Sequence, residues 1–396
     1  MSQGRIAIAT ESLGRSGGVG VYVLRAASAL RAAGYEVMAL AGEIDETYRN
    51  GTRTVTVPGL AARELTPDAA HRYDDALARF APDVVHVHHL YDPALVGLSR
   101  AHAPLVWGVH DYMCCGGSLY FRPGHACGRA HGPGCVPAMA LRGCAHSVDP
   151  RGRAADYRLV TRLVKLLQEV DVPLAFSSAV LRNLRINRID GTEIAPFVSG
   201  QVKVRPPGFG DRILFVGRIN RAKGLGQLIR AVSGMPGTLD VCGDGWWRPS
   251  AEKLVDRRGM RGRVRFLGWL NDAELLAAYD RAAVVAVPSV WPEPFGMVGL
   301  EAMAHGRAVV ASETGGIPDW LIDGVTGLLT PPGDVVALRA ALAKLLADPA
   351  LRTRMGIAGA DHVRRHFTAD THIAQIERVN ELARQRWSGD RQPARG

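Results

Sequence analysis

From Arg212 to Phe367, short β-branched runs alternate with amphipathic stretches, and this alternation restricts the fold more than any other feature of the chain. ILFVG (213–217), TLDVC (238–242), VRFL (264–267), AAVVAVPS (282–289), AVVA (308–311) and GLLT (327–330) read as strands. Gly224 to Val232, Pro249 to Arg258, Asp272 to Ala282 and Val335 to Ala347 carry apolar residues at helical spacing. Runs so short, and apolar at nearly every position, are those of strands buried on both faces, as in parallel sheets. Strand–helix units joined by short loops wind such a sheet through right-handed crossovers.

The first half reads the same way. Arg5 to Thr10 is a strand, and Gly17-Gly18-Val19-Gly20 opens a helix reaching about Ala33. Tyr35 to Leu40, Asp83 to Val87, Leu105 to Val109 and Val172 to Phe176 are further strands. A basic amphipathic helix, Arg153 to Val170, precedes the last of them, and a short helix, Ser178 to Leu184, follows it. The expected fold is therefore α/β, with two Rossmann-like, doubly wound parallel-sheet domains over 1–195 and 196–368. The linker falls in the Pro- and Gly-rich stretch Asn187 to Asp211. A last helix within 369–396 is free to cross back to the first domain, and 396 residues suffice for two separate cores.

Charge and composition bound the function. The net charge of +10, from 48 Lys and Arg against 38 Asp and Glu, is diffuse. It suits an anionic substrate or an anionic membrane surface, and equally a composition that simply favours arginine. Nucleic acid is disfavoured, because no basic run is interleaved with aromatics. The first residues carry charge and no long apolar core, and no eighteen consecutive apolar residues occur. A cytoplasmic protein is expected, with the inner face of the membrane as the site of any peripheral association. The Arg153 to Val170 helix either buries its apolar stripe against the sheet or lies on that surface.

Chemistry-bearing residues gather at strand ends. After the run ending at Ser289, Glu293 precedes a helix expected to start near Phe295, with Pro294 in its first turn, and Glu301 lies about two turns in. Both carboxylates then border one pocket at the carboxyl edge of a strand, where open α/β sheets bind ligands. Arg218 and Lys223, in GRINRAKG, follow another strand and can reach one anion. Gly18 heads a candidate anion cradle, although GGVG lacks full GxGxxG spacing. His86, His88, His89 and His110 stand at strand ends; for the first three a solvated His-rich loop is a commoner explanation than a metal site, and His110, ranked above them, either donates to a sugar hydroxyl or a phosphate or caps a turn. Cys114, Cys115, Cys127, Cys135 and Cys144 crowd an insertion at about 112–146, where a structural zinc, reduced thiols and disulfides all remain open because no C-x2-C pair occurs.

Taken together, Gly217-Arg218…Lys223-Gly224, the E-x7-E pair Glu293…Glu301, and GGIPDWLIDGVTGLLTPPGD resemble the retaining glycosyltransferases of GT-B fold, family four, also called glycosyl transferases group 1. GGVGVYVL near the front and His110-Asp111 after a strand also look like that family. The resemblance implies two domains facing a cleft and a nucleotide-sugar donor, UDP- or GDP-linked. It implies a sugar, glycan or lipid-linked acceptor and a role in polysaccharide, glycan or glycolipid biosynthesis, with no metal required for catalysis. Arg218 and Lys223 would hold the diphosphate, Glu301 the ribose, and Glu293 a hydroxyl of the donor sugar. Phe295, Gly296 and Met297 would offer backbone N–H groups, Gly18 would approach the phosphate, His110 the sugar, and Trp269 the base. The family's Asn-Gly-Val-Asp near the linker is replaced here by EIAPFVS and KVRPPGFG. A nucleotide-sugar epimerase of the same fold is the alternative. An NAD-dependent dehydrogenase needs GxGxxG with a later acidic residue, and neither half supplies both.

Overall fold

The computed structural model describes residues 3–14, 18–45, 51–113, 115, 127–141, 149–200, 202 and 210–390. The chain forms two units, each around its own parallel sheet.

The first unit contains β1 (Arg5–Leu13), α1 (Gly18–Ala32), β2 (Glu36–Ile44), β3 (Arg53–Thr56), α2 (Pro67–Phe80) and β4 (Val84–His88). It continues with α3 (Ala94–His102), β5 (Leu105–Val109), α4 (Cys135–Leu141), α5 (Pro150–Glu169), β6 (Val172–Ala175), α6 (Ser178–Ile186) and β7 (Thr192–Glu193). Its seven strands run in the order β3-β2-β1-β4-β5-β6-β7, all parallel. Every residue of β4 and β5 is buried, as strands covered on both faces require. The apolar stripe of α5 (Val160, Leu163, Leu166, Leu167) is buried, so packing, rather than a surface, accounts for its amphipathic pattern.

The second unit contains β8 (Arg212–Val216), α7 (Leu225–Val232), β9 (Thr238–Cys242), α8 (Arg248–Arg257), β10 (Val264–Gly268), α9 (Asp272–Arg281), β11 (Val284–Val287), α10 (Met297–Ala304), β12 (Ala308–Ser312), β13 (Gly327–Thr330), α11 (Val335–Ala347) and α12 (Pro349–His366). Its six strands run β10-β9-β8-β11-β12-β13, again all parallel. Local chemistry fixes the helix starts. Asn271 and Glu274 form a reciprocal capping box at α9, and the Asp334 carboxylate accepts from the Val336 and Ala337 N–H groups at α11.

The last helix of the described residues is α13 (Ala369–Asp390), which belongs to the first unit. Its Ile373, Ile376, Val379 and Ala383 complete the core formed by Ile6, Ile8, Val84, Val106 and Val172. Part of the stretch 187–211, expected to be irregular throughout, is ordered: β7 adds a strand beside β6, because Thr192 and Glu193 continue the ladder of Leu174 and Ala175. Residues 203–209 lie outside the described residues. Edge strand β3 escaped the sequence reading because RTVT is short and half exposed. Among the described residues no helix is long and apolar enough to cross a membrane.

Candidate active site

In both sheets the strand order reverses beside the first strand, between β1 and β4 and between β8 and β11. Loops leaving the carboxyl ends of such a strand pair diverge and open a crevice. Arg218, Lys223, Glu293, Phe295 and Gly296 fall on the loops after β8 and β11, whereas Gly18 opens α1, Met297 and Glu301 lie in α10, His110 follows β5 and Trp269 follows β10.

In the second unit, two glycines bring the loops after β8 and β11 together. Gly224 caps α7 with φ 73°, and a side chain there would lie 1.8 Å from the Pro288 carbonyl oxygen. The loops also share a backbone bond, from the Val290 N–H to the Ala222 carbonyl at 2.9 Å. Lys223, just before Gly224, has its N–H held by the Asn220 side chain at 3.0 Å and projects toward the other loop. Its Nζ lies 2.7 and 2.8 Å from the two carboxylate oxygens of Glu293 and 5.8 Å from the Trp291 ring centroid. Glu293 is only 3% exposed, and the buried Ser289 hydroxyl donates to the same carboxylate. A hydroxyl and an ammonium on one buried carboxylate hold it in a single orientation. Arg218, by contrast, is exposed and makes no ion pair among the described residues.

The backbone of Glu293 is fixed from the TGGIPDW loop. The Gly316 N–H donates to its carbonyl at 2.8 Å, and Gly315, at φ 60°, lies so close that a Cβ would fall 2.0 Å from that oxygen. The Trp320 indole N–H, fully buried, holds the Phe295 carbonyl at 2.6 Å, and Gly299 leaves room for the indole ring. These contacts move the start of α10. The helix begins at Met297 after Gly296, which adopts φ 93°, so Pro294 lies in the preceding loop and not in the first turn. Glu301 is half-buried in the second turn of α10. The preference of proline for a first turn is overridden by a glycine free to turn left-handed.

Trp269 follows β10 and is 70% exposed. A second indole, Trp246, stands after the neighbouring strand β9, 68% exposed, with the Arg221 guanidinium 5.8 Å from its ring centroid. The Gly243–Gly268 bridge ties the two loop starts together. Sequence reading missed Trp246, although a Trp pair directly after a strand was the available signal.

In the first unit, Gly18 is the exposed first residue of α1, with open space where a side chain would be. Gly20 is the glycine that packing demands: its Cβ would lie 2.8 Å from the Ser12 carbonyl oxygen. His110 directly follows β5, half-buried and stacked on Phe176 at 4.2 Å. Burial, and then the nearby His89, press its pKa down to about 3, so the ring is neutral. The expectation of a solvated histidine loop fails for His86 and His88, each 2% exposed. Two residues apart in a strand, they share the sheet face that α13 covers, and His86 Nε2 donates to the Asn380 side chain at 2.6 Å.

Cys114 and Cys144 lie outside the described residues, and Cys127 and Cys135 carry free thiols. Among the described residues no group of three or more potential ligands gathers to hold a metal.

Comparison with known proteins agrees with this architecture. Residues 203–362 match the family described as glycosyl transferases group 1, and residues 16–195 match glycosyltransferase family 4. A phosphatidyl-myo-inositol mannosyltransferase of Mycobacterium leprae is 30% identical over 92% of this chain and 93% of its own length. Among solved structures, the sucrose-phosphate synthase of Thermosynechococcus elongatus superposes with TM-score 0.74 at 23% identity, covering 96% of this chain and 98% of that one. Anabaena HepE, crystallised with UDP and glucose, superposes with TM-score 0.71 at 18% identity, covering 96% of this chain and all of that one (100%). With two parallel-sheet units, strand-end loops that carry the GR…KG and E-x7-E residues, and matches along nearly its whole length, the chain belongs to the GT-B glycosyltransferases of group 1, family four.

Proposed function

We propose that the protein is a retaining hexosyltransferase that moves a sugar from a nucleoside-diphosphate sugar, UDP- or GDP-linked, to an acceptor hydroxyl, without a metal in catalysis. The observation that carries this reading is the pair at the β8/β11 switch point: an ammonium, Lys223 Nζ, against both oxygens of the buried Glu293 carboxylate. The two halves suit the two halves of a donor. As the bond from the anomeric carbon to the diphosphate oxygen breaks, its electron pair leaves with the diphosphate, and fixed positive charge must meet it. Lys223 and the exposed Arg218 supply that charge, with the first-turn N–H groups of α10 beside them. Glu293, held by Ser289, accepts a hydrogen bond from a sugar hydroxyl, which orients the ring as it gains oxocarbenium character. The acceptor oxygen attacks from the face the diphosphate leaves, and its proton passes to a phosphate oxygen.

In the same reading Glu301 binds the ribose, Trp269 the base, Gly18 the phosphate, and neutral His110 the sugar. That HepE was crystallised with UDP and glucose favours a UDP-sugar. A lipid-linked or glycan acceptor suits the likeness to a mannosyltransferase named for phosphatidyl-myo-inositol, as does a basic protein working at the cytoplasmic membrane face. The test is a panel of UDP- and GDP-sugars with small, lipid-linked and oligosaccharide acceptors, with and without EDTA. Product NMR should give an anomeric configuration matching that of the donor, at a rate EDTA leaves unchanged. An inverted product, or loss of turnover in EDTA, refutes the mechanism; interconversion of the donor sugar with no transfer identifies an epimerase.

A further inference from the structure

His110 is held by a neighbour that the reading above leaves without a role. His88 Nδ1 lies 2.9 Å from His110 Nε2. His88 is the last residue of β4, 2% exposed, on the face covered by α1 and α13. Its ring lies across the adjacent strand because the residue opposite it in the ladder is Gly108. A Cβ at Gly108 would stand 2.1 Å from His88 Nδ1, in the place the ring occupies. Gly108 has no left-handed backbone to require glycine. What the position needs is the empty volume.

The remaining contacts of His110 fix its plane but not its proton. Phe176 stacks on it at 4.2 Å and 17°, and the Tyr22 ring meets it edge-on at 5.1 Å. The Tyr22 hydroxyl is itself committed. His372 Nδ1 donates to the Ala195 carbonyl at 2.7 Å, so its Nε2 is the acceptor for the Tyr22 O–H at 3.0 Å. That leaves His88 as the one polar partner of the His110 ring among the described residues. Between two neutral imidazoles one nitrogen donates and the other accepts, so the bond ties the proton position of His110 to that of His88 and leaves Nδ1 of His110 to face a ligand.

We propose that His88 is a positioning residue, which through its Nδ1 hydrogen bond, in the slot opened by Gly108, sets the tautomer in which His110 meets the donor sugar. The proposal rests on the reading of His110 as a sugar contact.

The experiment is ¹⁵N NMR of the imidazole nitrogens in the full-length protein, paired with turnover of the nucleotide sugar selected by the panel above. In the unaltered protein His110 should give one protonated and one unprotonated nitrogen. His88→Asn puts an amide where Nδ1 stood and should keep both the spectrum and most of the turnover. His88→Gln puts its amide nearer the place of Nε2, and Gly108→Ala displaces the ring. Each should give averaged His110 nitrogens and lower kcat by about 10–100-fold, with a smaller change in KM. Adding His88→Gln to His110→Ala should cost nothing further, whereas a merely structural role would add its full loss. Unchanged His110 nitrogens in His88→Gln, or additive losses, overturn the proposal alone. Unchanged turnover in His110→Ala overturns the reading of His110 and the proposal with it, whatever the spectra show.

Discussion

Glu293 and Lys223 divide the work at the residue scale, and their contact sets what each substitution does. Glu293→Gln keeps the shape and an acceptor for Ser289 and Lys223 but removes the negative charge. Kinetics with the identified donor should show kcat lower by about 100-fold with KM little changed, the pattern of an interaction strongest in the transition state. A change confined to KM would assign Glu293 to uniform binding, equal in the ground and transition states. Gly315→Ala tests the loop that holds Glu293. At φ 60°, with a Cβ 2.0 Å from the Glu293 carbonyl, alanine adds about 1–3 kcal/mol of strain and displaces the carboxylate. Thermal melts should fall and turnover drop together; an unchanged melt would mean the loop yields easily. These residues were legible in the sequence because each sits within a few positions of a strand end whose run was unmistakable. The start of α10 was not, since Pro294 argued locally for a helix while Gly296 and the distant Trp320 decided otherwise. Ser289 escaped for the same reason: nothing local marks a hydroxyl that folds onto a carboxylate four residues on.

At the scale of elements, α13 was legible as a helix but not as the lid of a histidine-lined sheet face. HVH at the end of β4 shows the period-2 spacing that sets both rings on one face, yet the partner of His86, Asn380, is 294 residues away. The consequence is a pH dependence of stability. Burial lowers the His86 and His372 pKa values to about 4 and that of His110 to about 3, and it pushes His88 well below the usual histidine range. In the unfolded chain these groups titrate near 6.5, so between about pH 6.5 and pH 4 the unfolded state binds more protons. Stability is then fully present above about pH 6.5 and falls with acidification, by about 1.4 kcal/mol per pH unit for each histidine still neutral in the folded state. Denaturant melts across that range should show the slope. Replacing both members of one pair by apolar groups, His86→Leu with Asn380→Leu, should lower it by about 1.4 kcal/mol per pH unit, one histidine's share, without orphaning a polar atom. A slope unaltered in that double variant would mean that other groups carry the acid sensitivity.

At the scale of the whole molecule, the parallel-sheet alternation made the two units legible, because buried parallel strands announce themselves as short unbroken apolar runs. Each unit has its own core. One is built from residues such as Ile213, Phe215, Val241, Val284 and Val310, the other from Ile6, Val84, Val106, Val172 and the α13 residues. Separate cores predict separate melting transitions, and the proposed donor site assigns the nucleotide to one of them. Arg218, Lys223, Glu293 and Glu301 all belong to the second unit, so UDP should raise the transition of that unit more than the other. At about 100 times Kd the gain is about 2.7 kcal/mol, which for a domain of this size moves Tm by about 5–10 °C. Scanning calorimetry of the full chain, with hydrogen exchange to assign each transition, reads this directly. The shift should persist in EDTA, shrink in Lys223→Ala, and be smaller with GDP if the donor carries uridine. A shift produced by NADP and by neither UDP nor GDP would move the ligand from a diphosphate sugar to a nicotinamide nucleotide and end the glycosyl-transfer mechanism for this pocket. A UDP shift on the first unit alone would instead leave the transfer chemistry standing and remove the Lys223–Glu293 pair from the donor site.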